Sequence, residues 1–140
     1  ALVYFDDDAL GSTSTNNTAE LITPVFDNSG DTLSFLEFDY NFREVVNAVS
    51  DSFTVDVFDG VQWQRVLSRG TDDCGSWVLP PCRQGLPHAF IDISAYKNTQ
   101  CQVRFRYHDG NDWAWYLGID NVEIYEPLIN ELELVSIDSL

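Results

Sequence analysis

Apolar residues recur at every second position from one end of this chain to the other, and a period of 3.6 is never sustained. Side chains that alternate in this way belong to strands with one face buried and the other in water. A chain patterned so throughout can close a core by packing sheet on sheet or by rolling one sheet into a barrel. Residue usage agrees. Sixteen Asp against seven Glu, one Lys (Lys97) and no Met leave few good helix formers, while Val, Phe and Thr favour strands and Asp, Asn and Gly the turns between them. The 140 residues suit one ordinary domain, and a 44 % hydrophobic fraction is enough to fill its core.

The alternation predicts strands at Val3 to Phe5, Leu21 to Phe26, Thr32 to Phe42, Ser52 to Phe58, Val61 to Leu67, Phe90 to Ile93, Gln100 to Tyr107 and Trp115 to Tyr125. Asp59-Gly60, between two such runs, is a strong hairpin signal. Within Thr32 to Phe42 the apolar set changes phase, from Leu33 and Phe35 to Leu36, Phe38, Tyr40 and Phe42, which predicts a bulge or bend in that strand. The loops are too long for an up-and-down barrel, so the expected fold is all-β, a two-sheet antiparallel sandwich of jelly-roll type. Residues 1–126 carry it. Residues 127–140 are acidic and resume alternation late, as a linker or the first strand of a following module would.

Charge restricts the partners. Seven basic against 23 acidic residues give a net charge of −16, which repels phosphate backbones and anionic lipid and attracts cations. No apolar run approaches the ~20 residues of a membrane span, and no basic-then-apolar leader stands at Ala1, so the chain is read as a mature or excised piece that does not insert into membranes. Of the three cysteines, Cys74 and Cys82 bracket CGSWVLPPC, where a bridge would close a short loop bearing Trp77. Cys101 has the parity of Val103, Phe105 and Tyr107 and is expected as a buried thiol. A disulfide implies an oxidising, extracellular compartment.

Catalytic patterns are missing. Glu37 and Asp39 share a strand face, about 7 Å apart by strand rise, and resemble part of the E-x-D-x-E strand of sandwich-fold β-glucanases. Asn41 stands where the third acid belongs, however. A solvent-facing row paired with Arg104 and Arg106 on a neighbouring strand is the expectation. Neither His88 nor His108 sits in a nucleophile motif, and no phosphate-binding glycine loop occurs. Recognition has better material. Trp113 and Tyr116 flank the turn that follows His108, and Trp77 lies in the Cys74–Cys82 loop; aromatics beside Asp, Asn and Gln stack on sugar rings and hold their hydroxyls. Ligand contacts are therefore expected at Trp77, Trp113, Tyr116 and His108. Hard cations take oxygen ligands in loops. Asp6, Asp7 and Asp8 end the first strand and Asp120 lies in the last, so adjacent terminal strands would gather them around calcium.

The run TAELITPVFDNSGDTLSFLEFDYNF, the hairpin DSFTVDVFDGVQWQRVL and the closing block FIDISAYKNTQCQVRFRYHDGNDWAWYLGIDNVEIY together resemble MAM-like and cleaved-adhesin-type domains, over about Val3 to Tyr125. The resemblance implies a non-enzymatic jelly roll appended to secreted proteases, glycosidases or surface adhesins, with covalently attached neighbouring domains. It also implies structural Ca2+ near the chain termini, at Asp6, Asp7, Asp8 and Asp120, with Asp27 and Asp31 as weaker positions. The expected function is a secreted, calcium-stabilised accessory module that binds neutral or lightly charged polysaccharide or a cell-surface glycan. The alternative is a protein–protein adhesion or spacer domain, whose partner is another extracellular protein.

Overall fold

The computed structural model describes residues 2–11, 16–43, 51–70 and 87–127. Eight strands lie among them: β1 (Val3–Asp6), β2 (Thr18–Ile22), β3 (Phe35–Arg43), β4 (Ser52–Phe58), β5 (Trp63–Arg69), β6 (His88–Asp92), β7 (Gln102–His108) and β8 (Tyr116–Tyr125). They build two four-stranded antiparallel sheets, ordered β1-β8-β3-β6 and β2-β7-β4-β5. This is the all-β, jelly-roll sandwich that the alternation predicts. The Cys74–Cys82 loop with Trp77, and residues 128–140, lie outside the described residues.

The core is the inner half of each alternating strand. Leu36, Phe38, Tyr40 and Phe42 of β3 and Leu117 and Ile119 of β8 face Phe53, Val55 and Val57 of β4 and Val103, Phe105 and Tyr107 of β7, all buried. Phe38 meets Phe105 edge-on at 5.0 Å and Phe53 at 6.2 Å, the perpendicular packing that aromatic quadrupoles prefer. Cys101 is fully buried, as its parity predicts, and burial pushes its thiol up to about 11. Asp59-Gly60 turns the β4–β5 hairpin: Asp59 Oδ1 accepts from the amides of Val61 and Gln62, and Gly60 takes φ +94°.

Several local expectations are corrected. The phase change before β3 marks the strand's start: Leu33 precedes it, and Phe35 points outward to stack on Phe90 at 4.7 Å. The bulge lies in β8, where Glu37 pairs Glu123 but Asp39 pairs Asp120, and Asn121 takes the left-handed φ of 51° that the extra residue needs. β2 begins and ends earlier than predicted. After Ile22 the chain, broken by Pro24, keeps only a bridge between Phe26 and Cys101. Arg104 and Arg106 do not pair with Glu37 and Asp39, because β7 and β3 belong to different sheets. They meet Asp56 and Glu20 instead.

Candidate functional site

Outward residues of the first sheet form a mixed face. Antiparallel pairing sets Tyr4 and Asn41 on either side of Gly118, and Asp6 opposite Tyr116. The rings of Tyr4 and Tyr116 lie 5.3 Å apart. Gly118 leaves a depression of about 140 Å³ lined by Leu2, Tyr4, Asn41, Tyr116, Gly118 and Asp120. A side chain at 118 would begin to fill it, since even a Cβ would touch Tyr4 at 3.5 Å and Leu2 at 3.6 Å. Tyr4 remains 50 % exposed, yet burial, with Asp6 nearby, pushes its hydroxyl up to about 12. It is therefore a neutral hydrogen-bonding phenol at any physiological pH.

The next row is polar. Asp39 accepts from Asn121 Nδ2 at 2.7 Å, and His88 Nδ1 lies 2.9 Å from its other oxygen. Those bonds, Asn121's first, hold the Asp39 carboxyl below the usual range, which makes it a standing acceptor and a poor proton donor. Glu37 takes a short hydrogen bond from the Tyr125 hydroxyl, which raises that phenol. Beyond them the Phe35–Phe90 stack closes the face. Aromatic rings thus bracket a strip of amide, carboxylate and imidazole groups.

The acids split into separate places. Asp7 is fully buried; its carboxylate accepts from Asn17 Nδ2 and the Ala114 amide, both at 2.8 Å. Asp109, equally buried, accepts from the Asn17 amide at 2.6 Å and the Asn111 amide at 2.8 Å. Asn17 therefore ties the end of β1 to the β7–β8 turn. Burial raises the Asp7 carboxyl, and the charges of Asp109 and Asp6 raise it further. The Tyr107 hydroxyl, buried and without a hydrogen-bond partner among the described residues, feels Asp7, Asp51 and Asp109 together and is raised as well, chiefly by burial. Asp6 instead caps the Ala9 amide. Asp27 caps Ser29. Asp120 faces the other end of β1, because that strand runs antiparallel to β8 with Asp6 beside Tyr116 and Val3 beside Ile119. Asp8 starts a single 3-10 turn. Among the described residues no three His, Cys, Asp or Glu side chains gather within reach of one metal ion, and Asp7 and Asp109 come together only as a pair.

Of the sequence-predicted ligand residues, Tyr116 lies on the mixed face. His108 ends β7 in the other sheet, and Trp113 packs on Trp115 at 4.7 Å beside the β7–β8 turn. Trp115, whose parity predicts burial, precedes β8 and is half-buried; Ala114 is the residue taken inside. Sequence reasoning missed Tyr4, Asn41 and Asn121 on the face and Asp109 in the buried corner. Only the register of β8 between β1 and β3 brings them into place.

Neither a family model nor a curated protein matches the sequence. Among solved structures, the K1 cleaved adhesin domain of Lys-gingipain from Porphyromonas gingivalis W83 is similar at 21 % identity, over 90 % of this chain and 74 % of that one, with a TM-score of 0.61. TmCBM61, solved in complex with β-1,4-galactotriose, is similar at 12 % identity, over 90 % of this chain and 70 % of that one, with a TM-score of 0.57. At such identities the likeness is one of fold.

Proposed function

We propose that this domain is a non-catalytic binding module that recognises carbohydrate on the outer face of its first sheet. The carrying observation is the Tyr4–Tyr116 pair over the Gly118 depression, with Asn41 beside it and the Asp39–His88–Asn121 group in the next row. Flat rings supply apolar contact to a pyranose face, and fixed acceptors and amides suit its hydroxyls. The complex of similarly folded TmCBM61 with a galactotriose supports the ligand class. With a net charge of −16 the comfortable ligand is a neutral or lightly charged polysaccharide, because a densely sulfated one would need screening. An extracellular domain that localises an attached enzyme or surface protein fits this reading and the resemblance to cleaved-adhesin-type and MAM-like domains. Affinity electrophoresis against neutral polysaccharides tests it. Tyr116→Ala should weaken binding by roughly tenfold or more, as truncation of a contact aromatic costs about 2 kcal/mol. If no polysaccharide retards the domain, or Tyr4→Ala/Tyr116→Ala binds as the parent does, the face is not a sugar site. Leu2 and Phe90, exposed around the same face, favour protein–protein adhesion in that case.

Calcium stabilisation belongs to the same reading, placed at the Asp7–Asp109 corner. Two buried carboxylates there face no Lys or Arg among the described residues, and the nearest basic group is the His108 ring, 3.9 Å from Asp109. Each needs either a proton or a cation, and hard oxygen ligands in loops suit calcium. Asp7, Asp109 and the Asn17 side chain would hold it, and its charge would lock the two loops together.

A further inference from the structure

We propose a second ligand site, on the outer face of the other sheet, that takes a carboxylate; in a carbohydrate-binding module this is the carboxylate of a uronic-acid residue. Only the second clause rests on the function proposed above. Five of the six arginines in this acidic chain are among the described residues, and three of them, Arg65, Arg104 and Arg106, gather on this one face. Their carboxylate partners there are Asp56 and Glu20, which leaves a surplus of one positive charge. Arg104 is spent: both its Nε and Nη2 bond Asp56 Oδ2, and its guanidinium lies 4.5 Å over the Trp63 ring.

Arg65 and Arg106 are not spent. Arg65 commits Nε to Asp56, and Arg106 has Glu20 3.3 Å from its Nε, so the terminal amino groups of both remain open among the described residues. Strand register sets Arg106 beside Thr54 and His108 beside Ser52. These four and Arg65 line a pocket of about 210 Å³. The Thr54 hydroxyl is buried without a hydrogen-bond partner among the described residues, and Arg106 Nε has only the Glu20 carboxylate, 3.3 Å away. An unpartnered buried hydroxyl is costly, so a native structure that keeps one beside two arginines with open amino groups points to a ligand that satisfies it. His108 Nδ1 accepts from the Gly110 amide at 2.8 Å, which places the ring proton on Nε2 as a further donor. No acid lines the pocket itself, while Asp109 Oδ1 lies 3.9 Å from His108 Nδ1. A guanidinium edge and a hydroxyl match a planar, singly charged carboxylate. A multiply charged phosphate or sulfate would meet the field of the whole molecule.

Titration followed by amide NMR tests this, with galacturonate, glucuronate, acetate, sulfate, galactose and glucose at matched ionic strength. Uronates are expected to shift Ser52, Thr54, Arg65, Arg106 and His108, while neutral sugars leave them unmoved. Arg106→Gln should weaken the uronates at least tenfold, and Tyr116→Ala should leave this pocket unchanged. Thr54→Val keeps the shape and removes an unsatisfied hydroxyl. It should therefore weaken the uronates several-fold with no loss of thermal stability, which separates a binding defect from a folding one. Acetate binding as tightly as uronate would overturn the sugar assignment alone. Sulfate binding more tightly than either, or no anion moving these residues, would overturn the site.

Discussion

Asp7 is a carboxylate held by an amide, an Asn side chain and little else. Because burial raises its pKa in the folded state, the native form binds protons more readily than the unfolded chain between the ordinary carboxylate value and the raised one. Stability in that window falls as pH rises. Asp39, Asp59 and Asp92 shift the other way, through hydrogen bonds from Asn121, Gln62 and Ser94 first, and their contributions are lost only as pH falls below the ordinary range. In EDTA, acidifying through that window should therefore raise the melting temperature, and Asp7→Asn should flatten that rise. A slope unchanged in Asp7→Asn would place the titrating group elsewhere. Cys101 gives a second prediction at this scale. Fully buried and with its thiol raised to about 11, it should resist iodoacetamide at neutral pH until the protein unfolds, as peptide mapping would show. The same map without reductant tests the proposed Cys74–Cys82 bridge.

Two turns and a bulge decide how the strands meet. Gly60, at φ +94° with the Asn98 side chain 3.4 Å from where a Cβ would stand, sets the β4–β5 hairpin. Gly60→Ala should cost about 1 kcal/mol or more and lower the melting temperature by a few degrees. The bulge at Asn121 makes a sharper comparison. Asn121→Gly and Asn121→Val both lose the bond to Asp39. Only valine must also be forced into the left-handed region, at a cost of about 1–2 kcal/mol. Equal melting temperatures for the two variants would mean that the strand resolves the bulge another way. The bulge matters to the face because it lets Asn121 reach Asp39 while Asp120 stays beside the Gly118 depression.

At the scale of the whole molecule a net charge of −16 is self-repulsive, and any salt that screens it should stabilise the fold. Calcium should act differently: at millimolar concentration it should stabilise EDTA-treated protein by RT ln(1 + [L]/Kd), about 2.7 kcal/mol at a hundredfold excess, and raise its melting temperature accordingly. Sodium chloride at equal ionic strength giving the same shift would reduce the effect to screening and remove the Asp7–Asp109 corner as a metal site. The sandwich itself was legible in the sequence. Alternation is a property of consecutive residues, so the existence of the strands, the buried parity of Phe38, Val55 and Phe105, and the Asp59-Gly60 turn all follow from local rules. Tyr116 could be picked out in the same way, as an aromatic beside a turn. Which strand lies next to which is a different quantity, set by how the two inner faces interdigitate across the core. That choice placed β8 between β1 and β3, so Tyr4 came to Tyr116 and Asp39 to Asn121. It joined Asp7 to Asp109 through Asn17 and carried Asp120 to the far end of β1. It also gave Arg104 and Arg106 to the second sheet, where packing between strands far apart in sequence, and not any local pattern, chose their partners.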